Sequence, residues 1–572
     1  LVNSKSAFDY QGISAFAKVG VNHIGSEADQ GAAPMYEASL RYAKSFNNKF
    51  AFKVNFSYMR ADDWHGTSTF DRNADLNPFA SIGGTNPGAD RFHFMGDEAA
   101  TNLAVFPLIS DWRLLAGSVV FEPGLSALDY ALAGDLPSHV VSVTPYEEVD
   151  LINYDAENIK TNVGQYYRLT DELELSYLFN GGWGTSIYTG AQRYSLSNFG
   201  IQQHRLQLRG DNFFVRGYTT RENSGDSYIT EFLAQRVYGE AGADATTFLA
   251  TYGIQYIAAL YGAGLAPGDV GNLTGDQLLQ LQLGAHNFAR DRTTAGLILP
   301  PSDPSFESVK ERALVGVVPD GPKFNDKSNL YHVEGQYDFK NDIDFMALQV
   351  GGNFRMFSLN SNGTIFDDQG GRTIKEYGAY LQASKRILAE RLKLTASVRY
   401  DKNENFDGQF SPRVSAVWNV AENHNIRGSY QTGFRIPTTQ GQFIDLNIIT
   451  ARLLGGLPEI YEKYDVFADN NYSRESVNAF SQAVFDNGAT PEAIAAAIPL
   501  LRPFEYDPVE PERVRSFEIG YKSLIANKLM VDLAYYYNRY QNFITQVQFS
   551  KAPVNIFDPS LPPEVAVGAA ST

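Results

Sequence analysis

Residues 391–400 read RLKLTASVRY, and their side chains sort by parity: Leu392, Leu394, Ala396, Val398 and Tyr400 are apolar, while the alternating positions are basic or hydroxylic. Successive side chains of an extended strand point to opposite faces, so this segment separates an apolar face from a strongly polar one. The same period of two recurs along the chain. Phe52, Val54, Phe56 and Tyr58 alternate with Lys53, Asn55 and Ser57, and Val414, Ala416, Trp418 and Val420 alternate with Arg413, Ser415 and Asn419. About fifteen such strands are expected, near 12–25, 35–46, 49–64, 157–168, 172–187, 196–209, 211–221, 328–340, 344–358, 374–387, 391–402, 409–421, 425–436, 512–525 and 528–546. Several exceed the roughly 5–6 residues of strands in soluble sheets and suit the roughly 9–11 needed to cross a bilayer obliquely.

The connections turn these strands into an architecture. Short ones fall at 45–49, 169–172, 210, 340–343, 388–390, 422–424 and 526–527. Longer ones fall between them at 26–34, 65–156, 188–195, 222–327, 359–373, 403–408 and 437–511. Short turns at one rim and long loops at the other are the mark of an outer-membrane barrel. The fold class is therefore all-β: a transmembrane antiparallel β-barrel occupying 12–550, with 1–11 leading into it and 551–572 starting a further extracellular loop. Such barrels close with an even number of strands, so an odd count implies further strands in the intact protein.

Three excursions, 65–156, 222–327 and 437–511, are too long to be passive turns and are expected to carry their own helices and function. Residues 245–268 hold no charged side chain, but Thr247, Thr251, Gln255 and interspersed glycines suit a helix packed within a loop better than a membrane span. Thr274, Asp276 and Gln277 resemble a capping box, and Thr490-Pro491-Glu492 reads as a helix start. The absence of cysteine excludes disulfides and thiolate chemistry. A net charge of −18, spread along the chain, argues against a nucleic-acid partner.

Residues 433–448 read GFRIPTTQGQFIDLNI; residues 16–25 read FAKVGVNHIG, followed by YAKSFNNKFAFKVNFSYMRADDW at 42–64; and residues 510–522 read EPERVRSFEIGYK. Together these resemble the barrel of TonB-dependent outer-membrane receptors of the Bacteroidota, including the SusC/RagA-like group. The resemblance implies a barrel of about 22 strands around an N-terminal plug. It also implies active import of a scarce ligand, driven through the TonB complex by the inner-membrane proton gradient. In the SusC-like case a SusD-like surface lipoprotein would cover the loops. Neither a plug nor a TonB box is evident in the sequence, and 1–11 reads as a remnant of the plug-to-barrel joint. A passive porin-like channel and a surface adhesin or structural barrel are the alternatives, and glycans, peptides, siderophores and cobalamin all stand open as ligands.

Inward-facing Arg355, Arg399, Arg413, Arg427 and Arg435 would line the lumen. They would contact a plug, steer an anionic ligand, or simply pair with carboxylates in a wet interior. Outward Tyr58, Trp418, Tyr535 and Tyr537 fit an interfacial girdle among outer-membrane lipids. Trp64 and Trp112 lie where a ligand would first arrive and are the candidates for stacking on it, or for packing the first excursion. Arg209-Gly210-Asp211 falls on a short turn, Gly181–Gly184 lacks the ending of a phosphate loop, and Asp338, Asp342 and Asp344 do not continue into a calcium loop. The eight histidines form no HExxH pair, so neither a metal nor a cofactor is expected, nor an enzyme.

Overall fold

The computed structural model describes residues 5–25, 31–74, 77, 79, 84–190, 192–448, 451–487 and 491–552. Its centre is a 16-stranded antiparallel sheet in which all but one strand follow sequence order. These strands are β1 (Gly12–Asn22), β2 (Ala33–Phe46), β3 (Phe50–Asp62), β4 (Asp155–Arg168), β5 (Glu174–Thr189), β6 (Arg193–Arg209), β7 (Phe213–Asn223) and β8 (Asn329–Asp338). They continue as β9 (Ala347–Leu359), β10 (Arg372–Ile387), β11 (Leu392–Asn403), β12 (Gln409–Ala421), β13 (His424–Arg435), β14 (Glu512–Ile525) and β15 (Leu529–Gln541). The strand off this path, Tyr228–Ile229, pairs with the upper end of β6.

Register preserves the parity of the sequence across the ladders, apart from one irregularity in the β5–β6 pair after Gly184 and one in the β12–β13 pair after Asn419. On the apolar face Leu40 meets Phe56, Leu381 meets Val398, Val414 meets Tyr430, and Phe517 meets Tyr537. Most of these side chains are exposed, as expected of a wall facing hydrocarbon. The other face is polar and largely satisfied within itself. Asn55 donates to Asn162 at 2.8 Å and Asn162 to Asn180 at 2.6 Å, an amide ladder across three adjacent strands. A slip of one residue would reverse every such position, so the register is strongly specified.

At the short-turn rim, Asn47 and Asn48 adopt φ of 48° and 54°, and Lys49 N–H donates to the Phe46 carbonyl at 2.9 Å. Ala526 and Asn527 repeat this geometry. Two left-handed residues make the hairpin turn whose twist matches its strands, and asparagine tolerates that conformation best after glycine. Asp211, in the Arg-Gly-Asp triplet, accepts bonds from Lys340 and Asn341 and so ties two neighbouring turns together.

One connection departs from the expected alternation. The link placed at 188–195 shortens to 190–192, because β5 and β6 run on for 16 and 17 residues. The upper end of β6 gains a second pairing partner in Tyr228–Ile229, which accounts for the extension.

The long-connection rim is packed rather than loose. The excursions at 63–154 and 224–328 share one hydrophobic core that includes Leu103, Tyr130, Val141, Leu233, Tyr252, Tyr256 and Phe306. The uncharged stretch forms a helix, α1 (Ala245–Gly262), capped by Asp244, whose carboxylate accepts from Thr247 N–H at 2.7 Å. α1 buries its face against α2 (Gly275–Leu297), which starts after Thr274 as expected, although the Thr274 side chain makes no capping bond. No described helix is long and apolar enough to cross a membrane. In the third excursion a helix begins at Pro491, with Glu492 in its first turn. Thr490 and the tail 553–572 lie outside the described residues.

Gly253 shows how closely the excursions meet. A Cβ there would sit 3.0 Å from the Phe106 ring and 3.3 Å from the Trp112 ring. Gly253→Leu is therefore expected to destabilise the cap by about 1–3 kcal/mol through overpacking. Thermal unfolding followed in detergent should show an earlier transition in the helical signal, with the β-sheet signal kept.

Candidate functional site

The polar face carries charge pairs set by strand register. Arg355 lies opposite Glu376 and pairs with it at 3.2 Å, and Arg435 lies opposite Glu512 and pairs at 2.6 Å. Arg399 donates to both carboxylate oxygens of Asp401 and to Asn353 on the next-but-one strand. Arg427 bridges Glu518 at 3.0 Å and Asp532 at 2.9 Å. Arg413, by contrast, is exposed and has no ion-pair or hydrogen-bond partner among the described residues. Four of the five arginines are thus committed to neighbouring carboxylates, which leaves Arg413 as the guanidinium open to another group.

At the mouth of this face a cavity of about 280 Å³ lies beneath the third excursion. It is lined by Arg355, Glu376, Asp401 and Asn403 from the wall, and by Phe434 and Gln442 from β13 and the segment after it. Asn403 donates to Glu376 at 2.9 Å and Asn405 to Gln442 at 2.8 Å, so the wall and the excursion are joined at the cavity's edge. Its lining mixes aromatic and charged groups, as a site for a small polar ligand would.

The two tryptophans occupy different settings. Trp64 is half exposed at the top of β3, with its ring edge-on to His23 at 6.0 Å. Trp112 is 3% exposed, stacked on Phe106 at 5.1 Å, and its indole N–H donates to the Ala250 carbonyl at 3.1 Å. A stacking platform needs an open ring face, which Trp64 has; Trp112 holds the first two excursions together. The segment at residues 5–11 lies over the polar face, with Ala7 and Phe8 packed on Ala43, Ala51, Tyr166 and Leu178, and the Lys53 ammonium donating to the Lys5 carbonyl.

The cap is fastened to the wall by groups that no spacing in the sequence marks. Arg193, the first residue of β6, forms a bidentate pair with the fully buried Glu148 at 2.8 and 2.9 Å. Tyr154 adds a hydroxyl donor to the same carboxylate at 2.7 Å. The backbone N–H of Arg193 donates to Glu231, from the second excursion, at 2.9 Å. One wall residue therefore holds both excursions. Beside it lies a cavity of about 240 Å³ lined by Arg72, Asp90, Glu98, Gln192 and Glu231 among others. Burial pushes the Glu231 and Asp97 carboxyls up to about 7, and Glu98 well above the usual carboxylate range. A signal for these residues exists only in three dimensions, since 148 and 231 come from separate excursions and 193 from a wall strand.

Removing the guanidinium would strand the Glu148 carboxylate without its charge partner. Arg193→Ala is expected to cost about 3–5 kcal/mol, read as early proteolytic cleavage within both excursions. Asp97 ionises near 7 when folded against an ordinary value of 3.8, so the folded cap holds an extra proton between those limits. Its stability is then greatest at the acid end and falls as pH rises towards 7. Cap melting compared at about pH 5 and about pH 8 should show this loss, and Asp97→Asn should reduce it, the raised Glu98 and Glu231 carboxyls supplying the remainder.

A family model described as TonB dependent receptor-like, beta-barrel matches residues 10–558. The iron-regulated outer membrane virulence protein of Vibrio cholerae is 44% identical over 50 residues, which is 9% of this chain and 8% of that protein. The siderophore receptor PirA from Acinetobacter baumannii aligns in structure with a TM-score of 0.44 and 9% identity, over 93% of this chain and 53% of its own. The ferric enterobactin receptor PfeA from Pseudomonas aeruginosa, in complex with enterobactin, gives 0.45 and 10%, over 92% of this chain and 54% of its own. The chain thus spans about half the length of these solved structures. With all fifteen wall strands and all three excursions inside the family match, the chain belongs to the TonB-dependent receptor-like β-barrel family.

Proposed function

We propose that this chain forms most of the wall and the surface cap of an outer-membrane active transporter, which imports a scarce ligand through coupling to TonB. The observation that carries the reading is the family match over 10–558, on a wall that is apolar on one face and polar on the other. In the intact protein a closed barrel of about 22 strands would enclose a plug, and the plug would answer to TonB. Ligand captured among the excursions would pass between the plug and the polar wall. The paired arginines would keep that wall hydrated without presenting a row of bare cations, because each carboxylate partner cancels most of the local field.

A ferric chelate is the first ligand to test, since the short curated matches bear an iron-regulated name. A SusD-like lipoprotein over the long-connection rim is the partner that a SusC-like subgroup would add, and co-purification from the membrane tests it directly.

Cells carrying the intact protein should accumulate radiolabelled ferric siderophore only while the proton gradient stands, and collapse of the gradient should abolish uptake. Equal uptake in both states would point instead to a passive channel. Arg413→Ala is expected to lower uptake more than Arg427→Ala, provided that open guanidinium meets the plug or an anionic ligand; equal effects would return Arg413 to the solvated wall.

A further inference from the structure

The third excursion carries a groove, distinct from the mouth cavity, of about 510 Å³ between residues 467–469 and 503–508. Its walls are aromatic. Phe467 stacks on Phe504 with centroids 6.2 Å apart and planes at 11°, and Tyr506 lies 5.1 Å from Phe504 on another side. Phe504 is buried, whereas Phe467, which also meets Tyr461 edge-on at 5.2 Å, and Tyr506 are 46% and 56% exposed. The strands of the groove are held firmly. Phe504 N–H donates to the Asn471 carbonyl at 2.8 Å, and the fully buried Asn471 side chain donates to the carbonyls of Asp465 and Val466.

Charge gives the groove its selectivity. Asp469, Glu505 and Asp507 line it, and no lysine, arginine or histidine does. None of these carboxylates has an ion-pair or hydrogen-bond partner among the described residues, unlike the arginine-bound carboxylates of the wall. Lys551, a nearby cation, is occupied with the Tyr464 carbonyl at 3.0 Å. Aromatic faces present negative potential, and carboxylates add to it. An anionic guest is repelled by both, and a neutral guest gains only stacking.

We propose that this groove is a docking site for an organic cation, an ammonium or guanidinium group with an apolar flank. The cation sits over Phe467 and Tyr506 and is held laterally by Asp469, Glu505 and Asp507. The site stands independently of the transport reading, because it concerns binding to the cap alone.

The test is titration of the purified full chain in detergent with benzyltrimethylammonium chloride at constant ionic strength, followed by calorimetry. Maltose and 2,3-dihydroxybenzoate serve as neutral and anionic counter-probes. Saturable binding of the cation is expected, weakened about tenfold by Tyr506→Leu and by the double change Glu505→Gln with Asp507→Asn. The double change alters neither side-chain size nor the pinned backbone, so it also serves where Tyr506→Leu disturbs the fold. Equal or tighter binding of maltose would overturn the proposal in favour of a sugar platform. Cation binding that both variants leave intact, or no saturable binding, would overturn it outright.

Discussion

A backbone amide in hydrocarbon finds no water, so each strand crossing a bilayer must give its hydrogen bonds to a neighbour. That constraint governs this chain from β1 to β15. Continuous pairing in sequence order allows each strand only hairpin connections, and hairpins put alternate connections at opposite rims. Pairing also brings side chains of like parity together on one face. The apolar band, the polar face and the two unlike rims therefore follow from one requirement. The arginine pairs follow too: with Arg435 opposite Glu512 and Arg355 opposite Glu376, register alone carries charge to its partner.

What register does not specify is the cap, where the physics is that of a soluble domain. Tyr130, Tyr238, Tyr252 and Tyr256 are buried almost completely, and three of them place their hydroxyls on backbone carbonyls or a histidine. Chains separated by more than a hundred residues supply that core, and its closure costs loop entropy that only extensive apolar burial offsets. The wall provides fixed anchor points for the excursions and so reduces the number of arrangements they must search.

This division explains what could be read from residues in order. Strands such as 409–421 and 512–525 declare themselves because parity is local, and an exposed apolar side chain has no other reason to recur at every second position. Helix α1 was legible from its lack of charge, and the start of α2 from Thr274. The role of Trp112 was not legible, because an exposed platform and a packing residue are the same letter; Phe106 and the Ala250 carbonyl distinguish them, and both are remote contacts. The anchoring group was illegible for a like reason. Glu148 resembles any acid in an acidic chain until Arg193 and Tyr154 are seen to close around it.

The shortened connection between β5 and β6 has a mechanical meaning. Had β5 and β6 ended level with their neighbours, residues 188–195 would form an ordinary loop and Arg193 would lie in it, free to turn. Extension of both strands, with Tyr228–Ile229 added alongside, instead fixes Arg193 at the end of a ladder. A guanidinium so placed can meet a buried carboxylate in bidentate geometry without losing much side-chain freedom at the moment of contact. Its backbone N–H meets Glu231 in the same act. One wall residue thereby ties both excursions to β5 and β6, the first through a buried charge pair and the second through a backbone hydrogen bond. The over-long strands are where the wall reaches up to hold the cap.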